Sequence, residues 1–139
     1  MLSSATTDHL RVFVADDDDD MRAFVTETLQ AHGCITQEAR DGEELLNQLI
    51  AALDDPALRP DVIVADVKMP RLSGLGVLAA LRRASWTVPV IMITVVADQS
   101  IHTVARRHGA VGVLHKPFDP DDLMTAVQNA TAVRDLRGE

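Results

Sequence analysis

The residues best able to do chemistry in this chain each stand where a short apolar run ends. The stretch VFVADDDDDMRAF (12–24) sets five aspartates side by side, Asp16 to Asp20. Two like charges about 4 Å apart repel by roughly 1 kcal/mol in water and about 4 kcal/mol at an effective dielectric of 20. A fold that gathers them needs solvent, a helix N-terminus or a cation to offset the repulsion. Three other apolar runs also end in reactive groups. DVIVA (61–65) leads into Asp66, VPVIMI (88–93) into Thr94, and AVGVL (110–114) through His115 into Lys116.

Three carboxylates, a hydroxyl and an ammonium are the parts that phosphoryl transfer with a hard divalent cation requires. Mg²⁺ takes oxygen ligands in octahedral geometry, usually one or two carboxylates with waters and phosphate oxygens. Asp16, Asp17 and Asp66 can supply that charge. Asp66 is the best nucleophile, because a carboxylate can form an aspartyl phosphate. Thr94 and Lys116 would hold the incoming phosphoryl oxygens, one by a hydrogen bond and one by charge. Positioning and charge neutralisation carry most of such a reaction, so this short inventory suffices.

The elements that must position these groups follow from periodicity. Strands are expected at 11–15, 34–39, 61–65, 88–93 and 110–114. Helices are expected at 20–31, 41–53, 73–84, 98–108 and about 119–133. Phe24, Val25 and Leu29 would face inward from the first helix, Leu45, Leu46, Leu49 and Leu53 from the second, and Leu123, Val127 and Ala130 from the last. Residues 54–60 read as a loop. Strands alternating with helices give an α/β domain with a parallel sheet covered on both faces. In such sheets ligands bind beyond the carboxyl ends of the strands, where the four runs above end.

VFVADDDDDMR, PDVIVADVKMPRLSGLGVL, PVIMIT and HKPFD closely resemble the receiver domain of bacterial two-component response regulators, here of the single-domain type. The likeness runs over about 10–133, leaving an extension over 1–9 and a tail over 134–139. It implies a flavodoxin-like, doubly wound five-stranded parallel sheet of order 2-1-3-4-5. It also implies that Asp66 is the phosphoacceptor, served by a sensor histidine kinase or histidine phosphotransfer protein. Mg²⁺ (or Mn²⁺) would be held by Asp16, Asp17, Asp66 and the backbone carbonyl of Lys68, with Thr94 and Lys116 as the catalytic pair. Phosphorylation would switch a surface near 98–130 for a downstream protein, or Asp66 would pass its phosphoryl group along a relay. Asp18 to Asp20 are then the start of the first helix, where acidic side chains cap free N–H groups and suit the dipole. Pro117 resembles the family's cis peptide, which would aim Lys116 at the site.

Departures from the family pattern concern the readout. Receivers commonly carry Tyr or Phe three residues before the lysine, and here Val113 stands there. Val95 follows the hydroxyl where a small residue is usual, and its branches would narrow access to Asp66. Lys68 and Val96 are expected to modulate phosphoryl lifetime. A receiver-like interaction module that does not turn over phosphate is the alternative. An aspartyl phosphohydrolase would need an acid two residues after the nucleophile, and Lys68 occupies that place.

The remaining features have plain readings. A net charge of −8 argues against a nucleic-acid backbone as direct partner. One cysteine, Cys34, forms no internal disulfide, and no basic-then-apolar leader or membrane-length run is present, so a cytoplasmic protein is expected. Gly74 and Gly76 lack dinucleotide-binding spacing and suit a tight helix start. Asp61 reads as a turn residue at the far edge. His9, His32, His102, His108 and His115 lack metal-ligand spacing, and Arg82, Arg83, Arg106 and Arg107 read as solvated helix positions.

Overall fold

Strands β1 (Arg11–Ala15), β2 (Ile35–Ala39), β3 (Val62–Asp66), β4 (Val90–Thr94) and β5 (Gly112–His115) alternate with helices α1 (Asp19–Ala31), α2 (Gly42–Ala51), α3 (Gly74–Arg83), α4 (Gln99–Arg107) and α5 (Pro120–Leu136). They come from a computed structural model that describes residues 9–96 and 98–136, with the backbone alone for 133–136. All strand pairs are parallel, in the order β2-β1-β3-β4-β5. Residues 1–8 of the extension expected over 1–9, and residues 137–139 of the tail expected over 134–139, lie outside the described residues.

Successive strand side chains point to opposite faces, and here both faces are covered. Phe13, Ala15, Ile63, Ala65, Val90 and Met92 pack with Leu45 and Leu49 of α2, Val77, Leu78 and Leu81 of α3 and Ala105 of α4. Val12, Val14, Val62, Val64, Ile91 and Ile93 pack with Val25 and Leu29 of α1 and Leu123 and Val127 of α5. This two-sided burial explains why β3 and β4 read as unbroken apolar runs: every residue in both is buried. β2 lies at the sheet's edge and is correspondingly polar, with Ile35 41% exposed.

Helix starts follow their side chains. Asp18, Asp41, Ser73 and Asp98 each cap a helix by accepting from a backbone N–H of its first turn. In the aspartate run, Asp18 accepts from the N–H groups of Asp20 and Met21 at 3.0 and 3.2 Å, and Asp19 pairs with Arg22 at 2.7 Å. At the opposite edge, Asp61 accepts from the Arg11 N–H at 2.9 Å and donates its own to the Arg11 carbonyl at 2.7 Å. That pins the start of β1 beside β3.

The structure corrects several boundaries. β3 and β4 each include one residue more at the carboxyl end than the apolar run, so Asp66 and Thr94 are the last residues of their strands. α2 ends at Ala51, which puts Leu53 beyond the helix and 43% exposed instead of inward; Leu46 is half-buried. Residues Pro56–Leu58 of the expected loop form a single 3₁₀ turn. α5 continues to Leu136, into the expected tail. No helix among the described residues is long and apolar enough to cross a membrane.

Candidate functional site

Sheet register brings the chemical groups into one row. Ala15 pairs with Ala65, Asp66 with Ile93, and Thr94 with His115. Asp16, Asp66, Thr94 and Lys116 therefore leave neighbouring strands at the same edge. The β1–β2 ladder runs one step further, since the Asp16 N–H donates to the Ala39 carbonyl at 3.1 Å.

Asp16, Asp17 and Asp66 each offer an oxygen, and these oxygens lie within 4.8 Å of one another. Asp16 and Asp66 are buried, whereas Asp17 is exposed. Lys116 Nζ stands between the two buried groups, 3.1 Å from Asp16 Oδ2 and 3.2 Å from Asp66 Oδ2. It donates a hydrogen bond to Asp66. Its approach to Asp16 Oδ2 is an ion pair, and among the described residues no other donor reaches that buried oxygen. Asp16 Oδ1 accepts from the Asp18 N–H at 2.9 Å. The peptide bond from Lys116 to Pro117 is cis, as the resemblance implies.

The electrostatics reflect crowding. Burial raises the Asp16 carboxyl above its ordinary value, and the charge of Asp66 adds to this; the Asp18 N–H and Lys116 oppose it without prevailing. Burial alone would lower Lys116, but its contacts with Asp16 and then Asp66 outweigh it and hold the ammonium above its ordinary value. One ammonium faces three carboxylates. An all-oxygen cluster with this charge excess, and with a buried carboxylate oxygen partnered by that ammonium alone, fits a hard divalent cation.

Around this centre the backbone is closely fitted. Asp66 Oδ1 accepts from the Lys68 N–H at 3.2 Å, while the Lys68 side chain is exposed. Gly74 donates to the Val67 carbonyl at 2.9 Å, and a Cβ there would lie 2.2 Å from the Asp66 carbonyl oxygen and 2.6 Å from Met92 Cε. Thr94 is buried, and its Oγ1 accepts from the Val96 N–H at 3.0 Å, which leaves the hydroxyl hydrogen free to donate elsewhere. Its carbonyl accepts from the Lys116 N–H at 2.8 Å. Val95, the next residue, is 68% exposed.

Three supporting groups were not legible in the sequence. Arg22 donates to the Asp16 carbonyl at 2.8 Å and reaches Glu38 at 3.0 Å, tying α1 and β2 to the aspartate turn. Arg82 is not a solvated helix position: its guanidinium donates to the carbonyls of Trp86, Val88, His108 and Gly109 at 2.7, 3.2, 3.2 and 3.1 Å. His102 and His115, thirteen residues apart, meet ring to ring. The paired basic residues near the end of α3 and the spacing of the histidines are only weak signals for such contacts, which depend on the tertiary fold.

A family profile for the response regulator receiver domain matches residues 12–128. The chain belongs to the response regulator receiver domain family. This receiver is 35% identical over 133 residues to the response regulator MprA of Mycolicibacterium vanbaalenii, covering 94% of this chain and 55% of that protein. It is 31% identical over 129 residues to the regulatory protein AtoC of Escherichia coli, covering 93% of this chain and 27% of AtoC. The chain thus spans about a quarter to a half of these curated relatives. Among solved structures, the chemotaxis response regulator CheY4 of Vibrio cholerae superposes with a TM-score of 0.78 at 32% identity, covering 88% of this chain and 98% of that one. The receiver domain of the Francisella response regulator 1452 gives 0.80 at 31% identity, covering 90% and 98%. This receiver is therefore a two-component signalling domain with the expected fold and strand order.

Proposed function

We propose that this receiver accepts a phosphoryl group on Asp66 from a phosphohistidine donor, in a Mg²⁺-dependent reaction, and thereby alters a protein-docking surface. The observation that carries the reading is Lys116 Nζ, poised 3.1 and 3.2 Å from Asp16 and Asp66 inside a cluster of three carboxylates. Asp16, Asp17, Asp66 and the Lys68 carbonyl would hold the divalent ion, which when bound neutralises charge on the carboxylates and on the incoming phosphoryl oxygens. Asp66 Oδ attacks phosphorus, a P–O bond forms, and the P–N bond to the donor imidazole breaks. Lys116 already donates to Asp66 and is placed to follow the negative charge onto the phosphoryl oxygens. Thr94 has a hydroxyl hydrogen to give to one of those oxygens.

The donor would be a sensor histidine kinase or a histidine phosphotransfer protein, in the cytoplasm, and the switched surface would lie within 98–130. Lys68, exposed two residues from the acceptor, and Val96, whose N–H holds the Thr94 hydroxyl, would set how long the phosphoryl group persists.

The test is incubation with a small phosphodonor and Mg²⁺, followed by intact mass. A gain of one phosphoryl group in wild type, absent in Asp66→Asn and absent with chelator, is the expected result. No gain in wild type under conditions where Mg²⁺ binds would instead favour a receiver-like module that does not turn over phosphate.

A further inference from the structure

α4 is lightly anchored. Of its residues only Ala105 is buried; Ile101 packs partly against the core and Val104 is 37% exposed. Its side-chain hydrogen bonds are mostly local, with Thr103 donating to the Gln99 carbonyl within the helix. Among the described residues, one side-chain hydrogen bond joins α4 to another element: His102 Nε2 to His115 Nε2.

The geometry of that contact is specific. The ring centroids are 4.8 Å apart and the planes differ by 28°. The two Nε2 atoms are 2.5 Å apart. The centroid separation exceeds the nitrogen separation by only about one ring width, so the rings meet edge to edge, nitrogen facing nitrogen. One ring donates its N–H and the other accepts, the roles being set by the tautomers.

His115 is also the residue nearest the chemistry on β5. It is the ladder partner of Thr94 and precedes Lys116, whose N–H is bound to the Thr94 carbonyl at 2.8 Å. Two residues back on the same strand face, Val113 packs into the α2–α3–α4 side of the core and offers no polar group to α4. A continuous path therefore runs from Thr94 and Lys116 through His115 and His102 into α4.

We propose that the His102–His115 hydrogen bond couples the Thr94–Lys116 end of the sheet to α4, so that a change at Asp66 reaches the outer surface of α4 through these two rings. The proposal rests on Asp66 being the phosphoryl acceptor. Both histidines are positioning residues and neither touches the reacting atoms. A ligand shifts α4 only as far as this bond differs between the two states. One hydrogen bond of ordinary net strength sets the scale at about fivefold in a local opening equilibrium.

Amide hydrogen exchange of the full chain, with and without Mg²⁺ and beryllofluoride as an acyl-phosphate mimic, tests this. In wild type the mimic should slow exchange at 66–68 and change it at 99–107. In His102→Ala, exchange at 99–107 should rise about fivefold without the mimic. The mimic should then leave 99–107 unchanged while still protecting 66–68. His102→Gln, whose amide can donate to His115 Nε2, should restore much of the α4 response. Survival of the full wild-type response at 99–107 in His102→Ala overturns the coupling, as does a wild type that responds at 66–68 alone. Absence of any response at 66–68 in wild type overturns the Asp66 reading itself, and the coupling with it.

Discussion

Lys116 Nζ stands 3.1 Å from Asp16 Oδ2, a buried carboxylate oxygen that no other donor reaches among the described residues. The ammonium also binds Asp66, so it is the shared counterion of two groups that would otherwise repel. Lys116→Met should lower stability in the absence of divalent metal by about 2 kcal/mol, less than for a fully buried pair because solvent reaches the site. Millimolar Mg²⁺ should recover much of that loss. Urea unfolding of both proteins with EDTA and with Mg²⁺ gives the comparison, and equal deficits in the two buffers would contradict it.

Asp16→Asn should have the opposite effect. It removes one buried charge from the cluster while keeping an oxygen for the Asp18 N–H. In EDTA the variant should be more stable by about 1 kcal/mol, or a few degrees in Tm. It should lose the thermal shift that Mg²⁺ gives wild type.

The same residue sets a pH dependence. The Asp16 carboxyl is raised above its ordinary 3.8 in the folded protein, so folded wild type keeps a proton that the unfolded chain releases. Wild-type stability contributed at this site therefore falls as pH rises from 3.8 through the raised value. The stability gap between Asp16→Asn and wild type, measured in EDTA, should open upward from pH 3.8 and then become constant. A gap that narrows over that range would refute the assignment.

Gly74 approaches the carbonyl of the candidate acceptor so closely that any side chain must displace it. A Cβ would sit 2.2 Å from the Asp66 oxygen. Gly74→Ala should cost about 2 kcal/mol through overpacking and slow phosphoryl uptake by moving Asp66. Gly112→Ala is the control, since its Cβ would meet nothing within 4 Å. Chemical denaturation and the rate of mass gain with a small phosphodonor report the two effects.

Arg82 holds four carbonyls with one guanidinium and so joins the end of α3 to the approach of β4 and the turn after α4. Arg82→Ala should destabilise by about 2–3 kcal/mol. Arg82→Lys should recover little of that, because an ammonium lacks the planar fork. Urea midpoints decide between this and a solvated surface role, for which both variants would match wild type.

Much of this was legible because parallel strands covered on both sides leave a plain mark, an apolar run with no polar alternation. β3 and β4 carry that mark, and the groups that end the runs share one edge. The aspartate run also divided as its position implied, with Asp18 capping α1 and Asp16 buried in the cluster. What escaped depends on contacts between distant segments. Arg82 resembles any basic residue near a helix end until the folded turns bring four carbonyls to it. His102 and His115 become neighbours only once α4 lies beside β5. Leu53 continues the apolar period of α2 yet lies past its end, because periodicity marks a face but does not say where a helix stops.

Because Asp66 and Thr94 are the last rungs of their ladders, the sheet works as a ruler for the reactive groups. One residue added or removed inside 62–65 or 90–93 would turn the terminal side chain to the opposite side and shift its height by one step. The connection at 54–60 lies outside both ladders, so its length does not enter that spacing.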